Sequence, residues 1–374
     1  MRSRETDEVF KILVSELAHT VMPSIVMFLT LAVTGFFAYE HIGNIDILLA
    51  VVIGSLASGC KILVMLAHQR FNATKQATVE DAARWERIHG LHTFVIASSV
   101  GWLASLMFLD RDLSIQILAT TLVFGYCAGV SNRISVRPYI AATAITVAAL
   151  PTIICAALNR DSAHWILTMV FAIFLLAAMQ SVWHMYHLSA RQIRLRLEME
   201  RQARHDPLTG LRNRTGLSEA FDMSTRQEGT LTGLHCFDLD GFKAVNDRFG
   251  HAVGDELLAG IGARLQELQG PAHIPVRLGG DEFVVLQTAI TNPEEVEALA
   301  AKIVHSLSLP YALSGKPITV GISLGYTIAL SETADLNSMI RLADAASYRA
   351  KRRGGGIDHE IPETLELHLV SSAA

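Results

Sequence analysis

Ile274-Pro275-Val276-Arg277-Leu278-Gly279-Gly280-Asp281-Glu282-Phe283-Val284-Val285-Leu286 reads as strand, turn, strand. The runs on either side of the glycines are short and apolar-leaning, as strands are. Adjacent glycines let a turn take positive φ and let a large ligand approach the backbone. Asp281 and Glu282 stand at the tip as neighbouring carboxylates. They offer the hard oxygen atoms that Mg²⁺ prefers, and Mg²⁺ usually shares its coordination with substrate phosphates.

Outward from this hairpin, residues 206–357 carry the pattern of an α/β domain. Asp206-Pro207 and the residues after it mark a turn, followed by a helix over 213–226. Leu231–Asp238 reads as a buried strand, and Ala252–Leu268 as a helix with apolar spacing. Asn292-Pro293-Glu294-Glu295 is a helix start, with Asn as cap, Pro in the first turn and acids facing the dipole. That helix is expected to reach about Ser306. Strands near 309–313 and 317–329 follow, then a helix over 335–352 that ends in Gly354-Gly355-Gly356. The order fits an α+β ferredoxin-like (palm-type) arrangement, a layer of helices against an antiparallel sheet.

The strand ending at Asp238 continues as Leu239-Asp240-Gly241-Phe242-Lys243. Strand alternation puts Asp238 and Asp240 on one side and Leu239 on the other. With the hairpin acids, such a strand end can hold one or two Mg²⁺ ions for an in-line displacement at phosphorus. Lys243 begins a helix and is placed to neutralise phosphate. Asn246 and Asp255 carry groups that match a purine edge: Asp accepts two donors, and Asn can serve a carbonyl or ring nitrogen.

Composition divides the chain near residue 188. Of 374 residues, 51% are hydrophobic and 18% charged, against about 25% charged in soluble domains. Mean hydropathy is +0.34, so part of the chain is expected in lipid. Six stretches approach the length of about 20 apolar residues that a membrane helix needs: 21–39, 46–67, 91–109, 113–131, 138–158 and 164–187. Lys and Arg concentrate before the first, between the second and third, between the fourth and fifth, and after the sixth. The positive-inside bias therefore places both termini in the cytoplasm. The first stretch is long and lacks a small-x-small cleavage site, unlike a signal peptide.

Residues 5–19 have helical apolar spacing and are expected to lie on the inner surface as an amphipathic helix. Lys61 is an ionisable group within a span, expected to snorkel or to find a partner in the bundle. His184 and His187, beside Trp183 and Tyr186, fit an interfacial belt better than a metal site. Pro151 is expected to kink the fifth span. Residues 188–205 read as a charged linker helix, with Leu188, Gln192, Leu195, Met199 and Gln202 approximating a short heptad seam.

The net charge of −5 argues against a nucleic-acid partner. Four cysteines without a CxxC pair indicate neither zinc nor a disulfide framework.

Several separated motifs, in this order, resemble the diguanylate cyclases, the family named for Gly-Gly-Asp-Glu-Phe. They are Asp206–Arg214, Asp238–Asp247, Gly250-His251 with Gly254-Asp255, the pentapeptide itself, and Ala343–Lys351. The resemblance covers about Asp206 to Ile357 and leaves the apolar half untouched. Together with the six apolar stretches and their Lys and Arg bias, it gives an expected all-α six-helix transmembrane bundle followed by an α+β palm-type cyclase domain, at a bacterial inner membrane with the cyclase in the cytoplasm. It implies condensation of two GTP to cyclic di-GMP with release of pyrophosphate, in a homodimer whose subunits each hold one GTP. Membrane lipid is a further expected partner, from the six apolar stretches rather than from the resemblance.

By the same resemblance Asp238, Asp281 and the backbone carbonyl of Leu239 hold Mg²⁺, or Mn²⁺ in its place. Asn246 and Asp255 recognise guanine, and His251, Phe242, Gly279 and Gly280 line the nucleotide site. Lys243 and Lys351 meet phosphates, and Asp281 or Glu282 assists removal of the ribose 3′-hydroxyl proton. Two departures stand out. Where the family often carries an Arg-x-x-Asp product-inhibition motif, this chain has Gly270-Pro271-Ala272-His273, and Arg277 alone is not that motif, its simplest reading being a surface strand residue. Where the family often has a phosphate-binding Arg, it has Gly355, with Arg352 or Arg353 as candidate substitutes. The alternative is a catalytically weak GTP-binding sensor or scaffold of the same fold. The complete acid set favours the enzyme, and Gly355 favours the alternative.

Overall fold

The computed structural model describes residues 4–159, 162–224, 229–268, 270 and 272–362. It forms two compact units, Met1–Leu197 and Glu198–Ala374.

The N-terminal unit is helical: α1 (Arg4–Ser15), a 3-10 turn (Glu16–Ala18), α2 (Met22–Ile42), α3 (Ile45–Thr74), α4 (Val79–Phe108), α5 (Leu113–Arg133), α6 (Pro138–Leu158) and α7 (Ser162–Arg204), which runs on past Leu197. Among the described residues six helices, α2 to α7, are long and apolar enough to cross a membrane by length and composition. Short polar breaks start them. Asn44 Oδ1 accepts from the Asp46 amide, and Asp112 caps through the Ser114 amide.

The third apolar helix begins at Val79 rather than at residue 91. Thr78 and Asp81 form a reciprocal capping box there, and the polar first turns then bury Ala82, His89 and Thr93 inside protein. A length-of-apolar-run criterion sees only the part that looks like lipid-facing helix. Residues 188–204 are likewise not a separate helix but the continuation of α7.

The apolar face of α1 does not lie open. Val9, Leu13, Val14 and Leu17 are buried against Ala82 and Ala190, with Tyr186 and Trp85 beside them. Pro151 sits inside α6 and takes away the amide that would have bonded the Val147 carbonyl. That turn packs against Gly101 of α4, where an added Cβ would come within 2.6 Å of the Val147 oxygen. A glycine there lets the two helices approach at the backbone.

The C-terminal unit orders α8 (Arg214–Ser224), β1 (Leu231–Asp240), α9 (Phe242–Phe249), α10 (His251–Glu267), β2 (His273–Gly279), β3 (Glu282–Ile290), α11 (Glu294–Leu307), β4 (Tyr311–Leu313), β5 (Lys316–Ile318), β6 (Gly321–Leu330), α12 (Leu336–Arg352) and β7 (Gly356–His359). The main sheet runs β2-β3-β1-β6-β7, antiparallel except for the parallel β6–β7 pair.

Three details differ from the sequence reading. The expected strand 317–329 is two strands. Its first residues pair with β4 across a turn in which Ser314 and Gly315 take positive φ, and only β6 joins the main sheet. Residues 356–359 after the glycines add a fifth strand. Helices also cover both faces of the sheet. Alternation along β1 explains this: Leu231, Phe237 and Leu239 pack with α10 and α11, while Leu234 and Cys236 pack with α8 and α12.

Candidate active site

The side of β1 that carries Leu234 and Cys236 carries Asp238 and Asp240 at its end, so both carboxylates face α12. Leu239, on the other side, is 1% exposed in the core. Asp238 stands opposite Glu282 of β3 and Ser323 of β6 in the strand register. The strand end, the hairpin tip and α12 therefore meet at one corner.

Helix α12 reaches that corner because β6 has glycine at 325. A Cβ there would lie 2.1 Å from both the Ala343 carbonyl oxygen and the Ser347 amide nitrogen. With the helix backbone seated on the strand, Ser347 and Lys351, one turn apart, lie over the acids. Ser347 Oγ donates to Asp238 Oδ1 at 3.3 Å and to the Ser323 carbonyl at 2.8 Å. Ser323 Oγ donates to Asp240 Oδ1 at 2.8 Å. Lys351 Nζ donates to Asp238 Oδ2. The Asp238 hydrogen bond raises the Lys351 pKa, opposed by partial burial and reinforced by the charges of Asp238, Asp240 and Asp281. An ammonium thus occupies the field of three carboxylates.

The hairpin tip is held from below. Gly279 has φ 152° and Gly280 φ 55°, conformations that favour glycine. Arg277 Nε and Nη2 donate to the Gly280 carbonyl at 3.0 and 2.8 Å. Its Nη1 donates to both Asp206 carboxylate oxygens at 2.9 and 3.1 Å. Thr209 adds its amide and hydroxyl to Asp206 Oδ1 at 2.9 and 2.7 Å. Arg277 is therefore not a surface strand residue: its side chain is 10% exposed and ties the first turn of the domain to the glycine tip. Burial raises the Asp206 pKa, but the hydrogen bonds from Thr209 and Arg277 outweigh it and hold the carboxyl below its ordinary value. The signal in sequence was present but split, since Asp206 and Arg277 are far apart along the chain.

At the α9–α10 corner, Asn246 Oδ1 is buried and has no hydrogen-bond partner among the described residues. It rests directly on Gly254, where a Cβ would lie 1.8 Å from it. A buried acceptor without a donor is costly unless a ligand supplies one. His251 and Asp255 are exposed and one turn apart on α10. Lys243 is exposed on α9, and Phe242 is half-buried against the core. Glu282 is exposed and Asp281 half-buried at the tip. Among the described residues no hydrogen bond joins Lys243, His251 or Asp255 to the carboxylate corner. Ser323 and Ser347 are the polar residues that sequence reasoning missed; the four-residue spacing of Ser347 and Lys351 was the available signal.

Asp238 and Asp281 suit Mg²⁺ in kind, as hard oxygen donors. Among the described residues no three His, Cys, Asp or Glu side chains close into a metal group, near the corner or at His184 and His187. Two carboxylates fit an ion that completes its shell from backbone, water and substrate phosphate. Of the arginines near Gly355, Arg353 is already bound to Asp358, which Arg349 also meets at 3.0 Å. Gly355 itself has φ 107°, where a side chain would be strained. Gly270 and His273 stand where the inhibitory pair would be, and Pro271 between them lies outside the described residues.

Residues 203–356 match the family described as diguanylate cyclase, GGDEF domain, and this segment is a GGDEF domain of that family. Over 161 residues the chain is 39% identical to the uncharacterized protein y4lL of Sinorhizobium fredii, covering 42% of this chain and 20% of that one. Over 159 residues it is 35% identical to the diguanylate cyclase DgcN of Escherichia coli K12, covering 42% of this chain and 39% of that one. A crystal structure of a sensory box/GGDEF family protein from Caulobacter crescentus shares 38% identity over 41% of this chain and 100% of that one, with a TM-score of 0.38. The chain thus spans between 20% and 39% of the length of these two curated relatives.

Proposed function

We propose that this protein is a membrane-bound diguanylate cyclase, active as a homodimer and controlled through its N-terminal helices. The observation that carries the reading is the corner where Lys351 donates to Asp238, with Asp240 on the same side of the strand and the glycine tip carrying Asp281 and Glu282 on the paired strand beside it. Two copies of that corner face each other, each with one GTP. Asn246 and Asp255 take the guanine edge, Asn246 with its side-chain amide donor on a carbonyl or ring nitrogen of the base and Asp255 with its two acceptor oxygens. His251, Phe242, Gly279 and Gly280 bound the nucleotide.

Lys351 leaves Asp238 for a phosphate oxygen, and Lys243 meets the phosphates from α9. Asp281 or Glu282 takes the proton of the ribose 3′-hydroxyl. The freed oxygen forms a bond to the α-phosphorus of the facing GTP, and the bond from that phosphorus to the bridging oxygen of pyrophosphate breaks. Repeated in the other direction, the two transfers close the ring and release two pyrophosphates. Mg²⁺ at Asp238, Asp281 and the Leu239 carbonyl, with Mn²⁺ as its substitute, supplies charge neutralisation on the phosphates. Positioning and electrostatics carry the chemistry, and no covalent enzyme intermediate is needed.

Dimer contact is proposed along α7, where Leu188, Leu195 and Met199 are 41%, 50% and 67% exposed at near-heptad spacing. The six apolar helices are proposed to lie in a bacterial inner membrane, with the cyclase in the cytoplasm. The test is turnover of GTP with Mg²⁺ by residues 188–374 and by the full chain in lipid, read by chromatography. Cyclic di-GMP from the wild type and none from Asp281→Asn, with an unchanged unfolding midpoint, is the expected result. GTP binding without product from either preparation favours the sensor reading, for which Gly355 is the supporting observation.

A further inference from the structure

A cavity of about 470 Å³ opens among α2, α3 and α5 of the N-terminal unit. Its walls are mostly apolar, including Met22, Met65 and Leu122, and among the described residues no acid lines it. Two cations do, Lys61 and Arg133. Lys61 Nζ donates to Thr93 Oγ1 at 2.9 Å, which uses one of its three donors. Arg133 Nη1 donates to the Thr20 carbonyl at 2.6 Å. Neither has a carboxylate partner among the described residues. Ser58, 1% exposed, also borders the cavity, and its hydroxyl is buried without a hydrogen-bond partner among the described residues. On α5, two turns and one turn before Arg133, Gly125 and Gly129 also line the cavity, and a Cβ added at either meets nothing within 4 Å.

Two like charges on one apolar hollow repel, and the unfilled donors of Lys61, within its span, are costly away from water. A single anion placed between them answers both. The rest of the space is apolar and of ligand size, so the anion must carry an apolar body. We propose that this cavity binds an amphiphilic monocarboxylate, with its head between Lys61 and Arg133 and its chain along the methionines and the two glycines. The carboxylate accepts from the guanidinium and the ammonium. Binding at this site is read without GTP turnover, so its outcome is separate from that of the cyclase reading.

The test uses the full chain in phosphatidylcholine nanodiscs, with laurate and 1-dodecanol as probes and empty discs as the blank. Saturable laurate binding at least tenfold tighter than dodecanol is expected. Lys61→Met and Arg133→Met should each weaken laurate at least tenfold. Gly125→Leu with Gly129→Leu keeps both charges, fills the open space, and should also abolish binding while elution volume and helical circular dichroism hold. Equal affinity for acid and alcohol, or unchanged laurate affinity in the filled variant, overturns the proposal, and the filled variant decides alone if a charge variant aggregates. In a second set of discs that also contain phosphatidylglycerol, bound phosphatidylglycerol that laurate cannot displace overturns the carboxylate in favour of a bilayer phosphate.

Discussion

Arg277→Gln removes the guanidinium that ties Asp206 to the Gly280 carbonyl. Four hydrogen bonds go with it, two to the carboxylate and two to the carbonyl. Exposed ion pairs contribute about 0–1 kcal/mol, whereas breaking a buried pair from one side costs about 3–5 kcal/mol. With side chains 10% and 17% exposed, this pair lies near the buried end. Asp206 keeps its two bonds from Thr209, which softens the loss. The expected destabilisation is about 2–3 kcal/mol.

Urea unfolding of residues 198–374 measures it. With a slope of about 2 kcal/mol per molar, the midpoint should fall by about 1–1.5 M. A cycle with Asp206→Asn should return a coupling of about 1–2 kcal/mol. The pH dependence has a definite sign. The folded Asp206 carboxyl sits below its unfolded value, so the clamp stabilises fully above about pH 4 and fades as pH falls through the lower folded value. The gap between wild type and variant should be equal at about pH 7 and pH 5.5 and shrink below about pH 3.5. A midpoint shift under about 0.3 M, strict additivity in the cycle, or a gap that widens on acidification would refute the clamp.

Three further outcomes follow from close contacts and from the sequence departures. Gly254→Ala puts a methyl 1.8 Å from Asn246 Oδ1, and should raise the KM for GTP about tenfold, the effect of about 1.4 kcal/mol, with kcat changed less; an unaltered KM removes Asn246 from base recognition. Gly325→Ala drives a methyl into the α12 backbone at 2.1 Å, and should cost about 3 kcal/mol or more, seen as a thermal midpoint lowered by about 6–12 °C; a loss of a degree or two means that α12 is not seated there. Cyclic di-GMP should inhibit weakly, because Gly270 and His273 offer no Arg and Asp pair; sub-micromolar non-competitive inhibition in a turnover assay contradicts this.

Much of the C-terminal domain was legible because its signals are local. Apolar runs, the Gly279-Gly280 turn and the Asn292 helix start each depend on a few adjacent residues. The Asn292 side chain does accept from the Glu294 amide at 3.0 Å, and Glu295 reaches back to the Asn292 amide at 2.9 Å. The split of 317–329 was not legible. Strand propensity is the same whether residues pair with β4 or with β1, and partner choice is a non-local matter. The early start of α4 was missed for a related reason: its first turns are polar, yet they bury within the unit rather than in lipid.

By itself the sequence determined which chemistry is on offer: carboxylates at Asp238, Asp240 and Asp281, lysines at 243 and 351, a glycine tip, and six apolar stretches. Side-chain type and short-range periodicity suffice for that. The tertiary structure decided how those groups are held. It brought Ser347 and Lys351 onto the acids because Gly325 lets α12 lie against β6. It drew Arg277 down onto Asp206, and it left Lys61 and Arg133 on one cavity without a counter-charge among the described residues. These are relations between residues distant along the chain, set by packing and strand register, and no local pattern encodes them.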